Sequence, residues 1–99
     1  MTRYKIEISS EAEEDLKFFK ASDRKAILEY IILHLSDEPL TETRKKKKLR
    51  ENPVAPWELK FKSFRIFYNV EAEVVTVIVV AVGKKEHNVL YIRGVEVKL

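Results

Sequence analysis

The sequence predicts an α+β fold in which an antiparallel helix pair packs on one face of a mostly antiparallel, four-stranded sheet. Three observations carry this reading: a polar–apolar alternation at the start, two stretches of helical periodicity that stop before Pro39, and three closely spaced strand-like runs between Trp57 and Val82. With 99 residues, 45% of them hydrophobic, the chain is expected to form a single domain over 1–99 with a modest core.

Arg3 to Ile8 places Tyr4, Ile6 and Ile8 on one face, the pattern of a half-buried opening strand. Ser10-Glu11-Ala12-Glu13 has capping-box spacing, and Ala12, Leu16 and Phe19 recur at helical intervals, predicting a helix of about ten residues. After a break at Ala21-Ser22-Asp23, a stripe of Ile27, Leu28, Ile31 and Leu35 predicts a second helix, antiparallel to the first. Leu40 to Pro56 reads as an exposed connection with a short helical turn through Lys45 to Leu49. Trp57 to Lys62, Phe64 to Val70 and Val74 to Val82 form a three-stranded antiparallel meander, ended by Gly83. The last run is almost wholly apolar, so it should sit centrally, with the first strand beside it. His87 to Leu99 reads equally as a short strand or a partly ordered tail.

Several classes of function fall away on composition. Cysteine is absent, which excludes disulfide scaffolding, thiol catalysis and cysteine-based metal sites, and points to the cytoplasm. The only histidines are His34 and His87, so neither a metal site nor a cofactor is expected. Met1 to Asp15 lacks the apolar run of a signal peptide, and the run around Val77 to Val82 is too short to span a bilayer; no membrane role is expected. A net charge of +3 says little about nucleic acid, but its distribution says more. Acidic residues gather at Glu7 to Asp15, while Arg44, Lys45, Lys46, Lys47, Lys48 and Arg50 form a basic block, followed by Lys60, Lys62 and Arg65.

The densest information lies in Trp57 to Tyr68. With Lys62-Ser63 as a two-residue turn, Phe61 falls opposite Phe64, Leu59 opposite Ile66 and Trp57 opposite Tyr68. That register leaves Lys60 opposite Arg65 on the other face, where like charges destabilise pairing. Such a pair persists when solvent separates the ends, when a carboxylate such as Glu58 bridges them, or when the face holds an anion. The aromatic pair Trp57 and Tyr68 reads as core.

Four segments in this order resemble the RelE/ParE family of small toxins from bacterial and archaeal toxin–antitoxin modules. They are YKIEISSEAEEDL from Tyr4, the Lys48-Leu49-Arg50 triplet, FRIFYNVE from Phe64, and VVAVGKKE from Val79 ahead of Tyr91. The surrounding LRENPVAPWELKF is similar to a RelE-like subgroup. The resemblance implies a toxin neutralised by a cognate antitoxin. For RelE-like members it implies cleavage of mRNA on the ribosome without a metal; for ParE-like members it implies inhibition of DNA gyrase. A catalytically degenerate, partner-binding member is the third alternative. By resemblance, Lys60 and Arg65 hold the scissile phosphate, Lys85 adds charge where an arginine is common, and Tyr91 or His87 moves protons or stacks a base. Glu58 stands where a further lysine is expected.

Each of these residues also has a plainer reading. Lys60 and Arg65 fit a solvated surface pair. Arg44, Lys45, Lys46, Lys47, Lys48, Arg50 and Lys62 fit either a solvated loop or a contact with ribosomal RNA phosphates. His87 fits an ordinary surface histidine, His34 a structural one, and Tyr91 either packs on the sheet or stacks a base.

Overall fold

The computed structural model describes residues 3–99, in which seven strands form one sheet ordered β2-β3-β4-β5-β6-β7, with β1 added beside β5. The order along the chain is β1 (Lys5–Ile8), α1 (Ser10–Lys17), α2 (Ala21–Leu35), β2 (Lys46–Lys48), β3 (Trp57–Phe61), β4 (Phe64–Glu71), β5 (Thr76–Glu86), β6 (Val89–Ile92) and β7 (Val95–Glu96). Ser9, one residue earlier than the expected cap, starts α1 by accepting the Ala12 N–H on its hydroxyl at 3.1 Å. Ala21-Ser22-Asp23, expected as a break, is instead the first turn of α2, where the Asp23 carboxylate lies at the positive end of the helix.

Both helices cover one face of the sheet. Ala12 and Leu16 of α1 and Ile27, Ile31 and Leu35 of α2 pack with Trp57, Leu59, Ile66, Tyr68, Val77, Val79 and Val82 in one buried cluster. Trp57 stacks on Tyr68 with ring centroids 5.9 Å apart, in the expected register. The Tyr68 hydroxyl donates to the Pro39 carbonyl at 2.7 Å, tying the end of the helical layer to the sheet, and burial pushes its phenol well above the ordinary range.

The near-continuous apolar run becomes β5, the central strand. It pairs with β4 along one edge; along the other it pairs with β1, in parallel through Val79, and with β6, antiparallel from Lys84. In the gap between those partners the buried Asp15 carboxylate accepts the Val82 N–H on Oδ2 at 2.9 Å, so α1 completes the strand's hydrogen bonding. A register shift opposite Phe67 and Tyr68 lets Val80 and Ala81 both meet the second, smaller cluster on the outer face, with Phe67 and Leu90.

Three expectations need correction. Lys46–Lys48 is a strand on β3, not a helical turn: extended backbone gives these residues ladder partners and lets alternate side chains reach opposite faces. Gly83 does not end β5. A Cβ there would stand 2.7 Å from the Tyr91 carbonyl oxygen, so glycine allows β6 to fold back close against the strand. The C-terminal segment forms two hairpins turned at His87-Asn88 and Arg93-Gly94, all four residues having positive φ, and these strands enlarge the expected four-stranded sheet.

Candidate nucleic-acid interface

The β3–β4 hairpin turns at Lys62-Ser63, with Lys62 in the left-handed region, and pairs Phe61 with Phe64, Lys60 with Arg65 and Leu59 with Ile66. Leu59 and Ile66 are sealed under the helices, so strand alternation sends Lys60 and Arg65 to the opposite, outer face. The edge strand β2 lengthens this cationic rung. Lys47 stands opposite Glu58, and the Lys45 carbonyl accepts the Lys60 N–H at 2.8 Å, bringing Lys45 beside Lys60.

On the other side of Arg65 the partner is Gly83, and two residues on, Lys85 shares that face and donates its backbone N–H to the Ser63 carbonyl at 2.8 Å. The diagonal from Arg65 to Lys85 is about 7–8 Å between Cα atoms, within reach of long side chains converging on one anion. Lys45, Lys60, Arg65 and Lys85 therefore span neighbouring strands at the end of the sheet that carries the β3–β4 turn. Arg65 is partly ordered already: one terminal nitrogen donates to the Lys62 and Phe64 carbonyls at 2.9 and 2.8 Å. Among the described residues the ion pairs are Lys5–Glu7, Lys17–Glu14 and Arg93–Asp15, so Glu58 does not bridge the Lys60–Arg65 rung.

Other candidate residues separate from this cluster. Lys46 faces the helix side, is buried, and donates from Nζ to the Glu38 carbonyl at 2.9 Å and the His34 carbonyl at 3.4 Å. Its charge thus serves the C-terminal end of α2 and is withdrawn from any outer contact. Arg44, Lys47, Lys48 and Arg50 are exposed, as is Lys62, whose ammonium lies 5.5 Å from the Phe61 ring centre. His87 is exposed in the β5–β6 turn. His34 is half-buried, its ring 4.0 Å from that of Tyr30, and burial together with Lys46 and Lys45 lowers its pKa. Tyr91 pairs with Lys84, so it lies on the helix side rather than with Lys60 and Arg65.

That last placement shows what the sequence reading missed. Tyr91 and Lys84 line a cleft of about 230 Å³ with Phe18, Phe19, Glu86, Arg93 and Gly94. The Arg93-Gly94 turn flanked by alternating Tyr91-Ile92 and Val95-Glu96-Val97 was the available signal for the second hairpin. No sequence signal foretold Asp15 as its anchor: Arg93 Nε lies 2.8 Å from Asp15 Oδ1, at an angle outside a good hydrogen bond.

Residues 6–89 match the family model of the ParE toxin of type II toxin–antitoxin systems. Among solved structures, a chain of the RelBE2 toxin–antitoxin complex from Mycobacterium tuberculosis superposes with a TM-score of 0.75 at 26% identity, covering 86% of this chain and 94% of that one. A chain of the intact RelBE complex from E. coli gives 0.65 at 26% identity, covering 85% and 99%. The archaeal RelE–RelB complex from Pyrococcus horikoshii OT3, at 17% identity and a TM-score of 0.67 over 88% and 99%, shows the shared fold alone. A search of curated proteins finds no match. The match over most of the chain, with the same strand, helix pair and antiparallel sheet in those structures, places this chain in the RelE/ParE family of type II toxin–antitoxin toxins.

Proposed function

We propose that the chain, acting as a single toxin domain over 1–99, is a ribosome-dependent mRNA endonuclease of the cytoplasm, held inactive by a cognate antitoxin. The observation that carries this is the cationic rung: Lys60 directly opposite Arg65, with Lys45 and Lys85 beside them and no ion-pairing carboxylate among the described residues. Like charges placed together without neutralisation are offset when a phosphate binds between them. Relatives solved as toxin–antitoxin complexes support the antitoxin partner.

The chemistry that fits is in-line attack of a ribose 2′-oxygen on the adjacent phosphorus. The 2′-O–P bond forms, the P–O5′ bond breaks, and the products are a 2′,3′-cyclic phosphate and a 5′-hydroxyl. One proton leaves the 2′-hydroxyl and one reaches the departing oxygen. Lys60 and Arg65 stabilise the extra charge on the phosphorane, and Lys85 adds to that field. Proton transfer is assigned to His87 or to a group of the ribosomal complex, because Tyr91 lies across the sheet. Lys47 on the outer face, with the exposed Arg44, Lys48 and Arg50 along the β2 edge of the sheet, strengthens binding to RNA phosphates without sequence choice.

A gyrase-directed toxin is the second reading, favoured by the family model itself and by the separation of Tyr91 from the cationic rung. Pulse labelling of protein and DNA synthesis within minutes of inducing the chain without its antitoxin separates the two. Protein synthesis falling first, with Arg65→Ala restoring it, is the expected result; DNA synthesis falling first transfers the function to gyrase.

A further inference from the structure

The two helices meet solvent differently. α1 turns Glu11, Glu13, Glu14 and Lys17 outward, the charged side expected of a surface helix. α2 buries Ile27, Ile31 and Leu35 against the sheet, yet its outward side carries Leu28, Ile32 and Leu33, so this helix is apolar on both sides. Leu33 is 73% exposed and Ile32 55%, and neither apolar cluster of the fold includes them. Helical spacing makes the three side chains neighbours, so they form a contiguous patch that packing within one copy does not explain.

The patch has a shape and a polarity of its own. An open groove of about 310 Å³ runs beside it, lined by Arg3, Glu29, Ile32, Leu33, Ser36 and Asp37. The charges at its two ends are opposite: Lys25 is exposed one turn before Leu28, and Asp37 follows the end of the helix beyond Leu33. Neither makes an ion pair among the described residues. A second copy laid antiparallel, about a twofold axis level with Glu29 and Ile32, sets Leu28 against Leu33 of the partner subunit and Lys25 against Asp37 of the partner subunit. Symmetry repeats both contacts. A parallel arrangement would instead bring like charges together at each end. The two Glu29 carboxylates come near the axis, where Arg3 in the same groove offsets their repulsion.

We infer that the outward side of α2 is an interface between two copies of this chain, packed antiparallel through Leu28, Ile32 and Leu33 and oriented by the Lys25 and Asp37 pairs. The self-complementary order of charges along one stripe points to a second copy as the occupant. A 15-residue helix is only about 22 Å long, so the contact falls below the roughly 800 Å² per partner of a standard interface, and the dimer is a weak one of micromolar affinity. The inference does not depend on the RNA-cleaving reading. The helices and the cationic rung lie on opposite faces of the sheet, so both copies keep Lys60 and Arg65 open.

The test is sedimentation velocity on the purified full chain across the micromolar range at low salt. Wild type should pass from monomer to dimer as concentration rises. Leu33→Asp, at an exposed position, should stay monomeric throughout, with its unfolding curve unchanged. Lys25→Glu and Asp37→Lys should each weaken the dimer about fivefold, and the double variant, which exchanges the two charges, should return close to wild-type affinity. That rescue separates an oriented interface from indiscriminate apolar association. A wild type that is monomeric throughout overturns the inference, as does a dimer that survives Leu33→Asp. A double variant that associates no better than the single ones overturns the antiparallel pairing. If wild type is monomeric and Leu33→Asp loses affinity for the antitoxin, the patch belongs to that partner and the dimer is wrong.

Discussion

The two faces of the sheet are made from alternate residues of the same strands, yet they answer to different constraints. On the helix face, Leu59, Ile66 and Tyr68 have no exposed surface and lie in a continuous cluster with both helices. On the outer face, at the same level, Lys60 and Arg65 meet solvent with no carboxylate paired to them among the described residues. The first arrangement lowers the free energy of folding through apolar burial; the second raises it slightly through like-charge contact. A feature that folding does not require, placed on a rigid support, is where function is expected.

Substitutions on the two faces should therefore separate stability from activity. The largest effect on stability belongs to Ile66→Ala, which removes a fully buried β4 side chain packed under the helices beside Leu59; a loss of about 2–5 kcal/mol in denaturant unfolding is expected. Asp15→Ala should follow at about 1–3 kcal/mol, because the buried Val82 N–H loses its acceptor and the Arg93 turn its anchor.

The same aspartate gives a pH signature. Burial raises its carboxyl above the ordinary 3.8, outweighing the opposing effects of the Val82 N–H and Arg93. A raised folded value favours the protonated form in the fold, so this contribution is full below the unfolded pKa and lost as pH rises through the folded one. Wild type should accordingly gain stability relative to Asp15→Asn as pH falls from about 7 towards 4. Tyr68→Phe should cost about 1 kcal/mol, since it leaves the Pro39 carbonyl without its donor, and calorimetry resolves that as a fall in Tm. The smallest change belongs to the outer face: Lys60→Ala and Arg65→Ala should each unfold within about 0.5 kcal/mol of wild type. A loss of several kcal/mol there would mean that the rung is structural after all.

Much of this contrast was legible in the sequence because it rests on local periodicity. The pairing of Trp57 with Tyr68 and of Lys60 with Arg65 follows from one two-residue turn and strict alternation, and the structure has that register. The position of β5 was legible from its unbroken apolar run. What escaped the reading depended on distant contacts or short turns. Lys46 looks like its neighbours in a basic block, and only the carbonyls of His34 and Glu38, brought close by the fold, single it out. Asp15 sits among surface acids in the sequence, and its burial depends on a gap in strand pairing 67 residues away. Tyr91 matched a family position by spacing, but two tight hairpins in place of a single segment set which face it meets.

The most direct measurement is cleavage of a defined mRNA on purified, programmed ribosomes, mapping the new 3′ ends, with wild type and Arg65→Ala compared at equal folded concentration. Cleavage by wild type that leaves a 2′,3′-cyclic phosphate, reduced at least about a hundredfold in Arg65→Ala while its unfolding curve is unchanged, is the expected result. Equal cleavage by both proteins, or no cleavage by wild type alongside inhibition of gyrase, would contradict the assignment of the cationic rung to RNA chemistry.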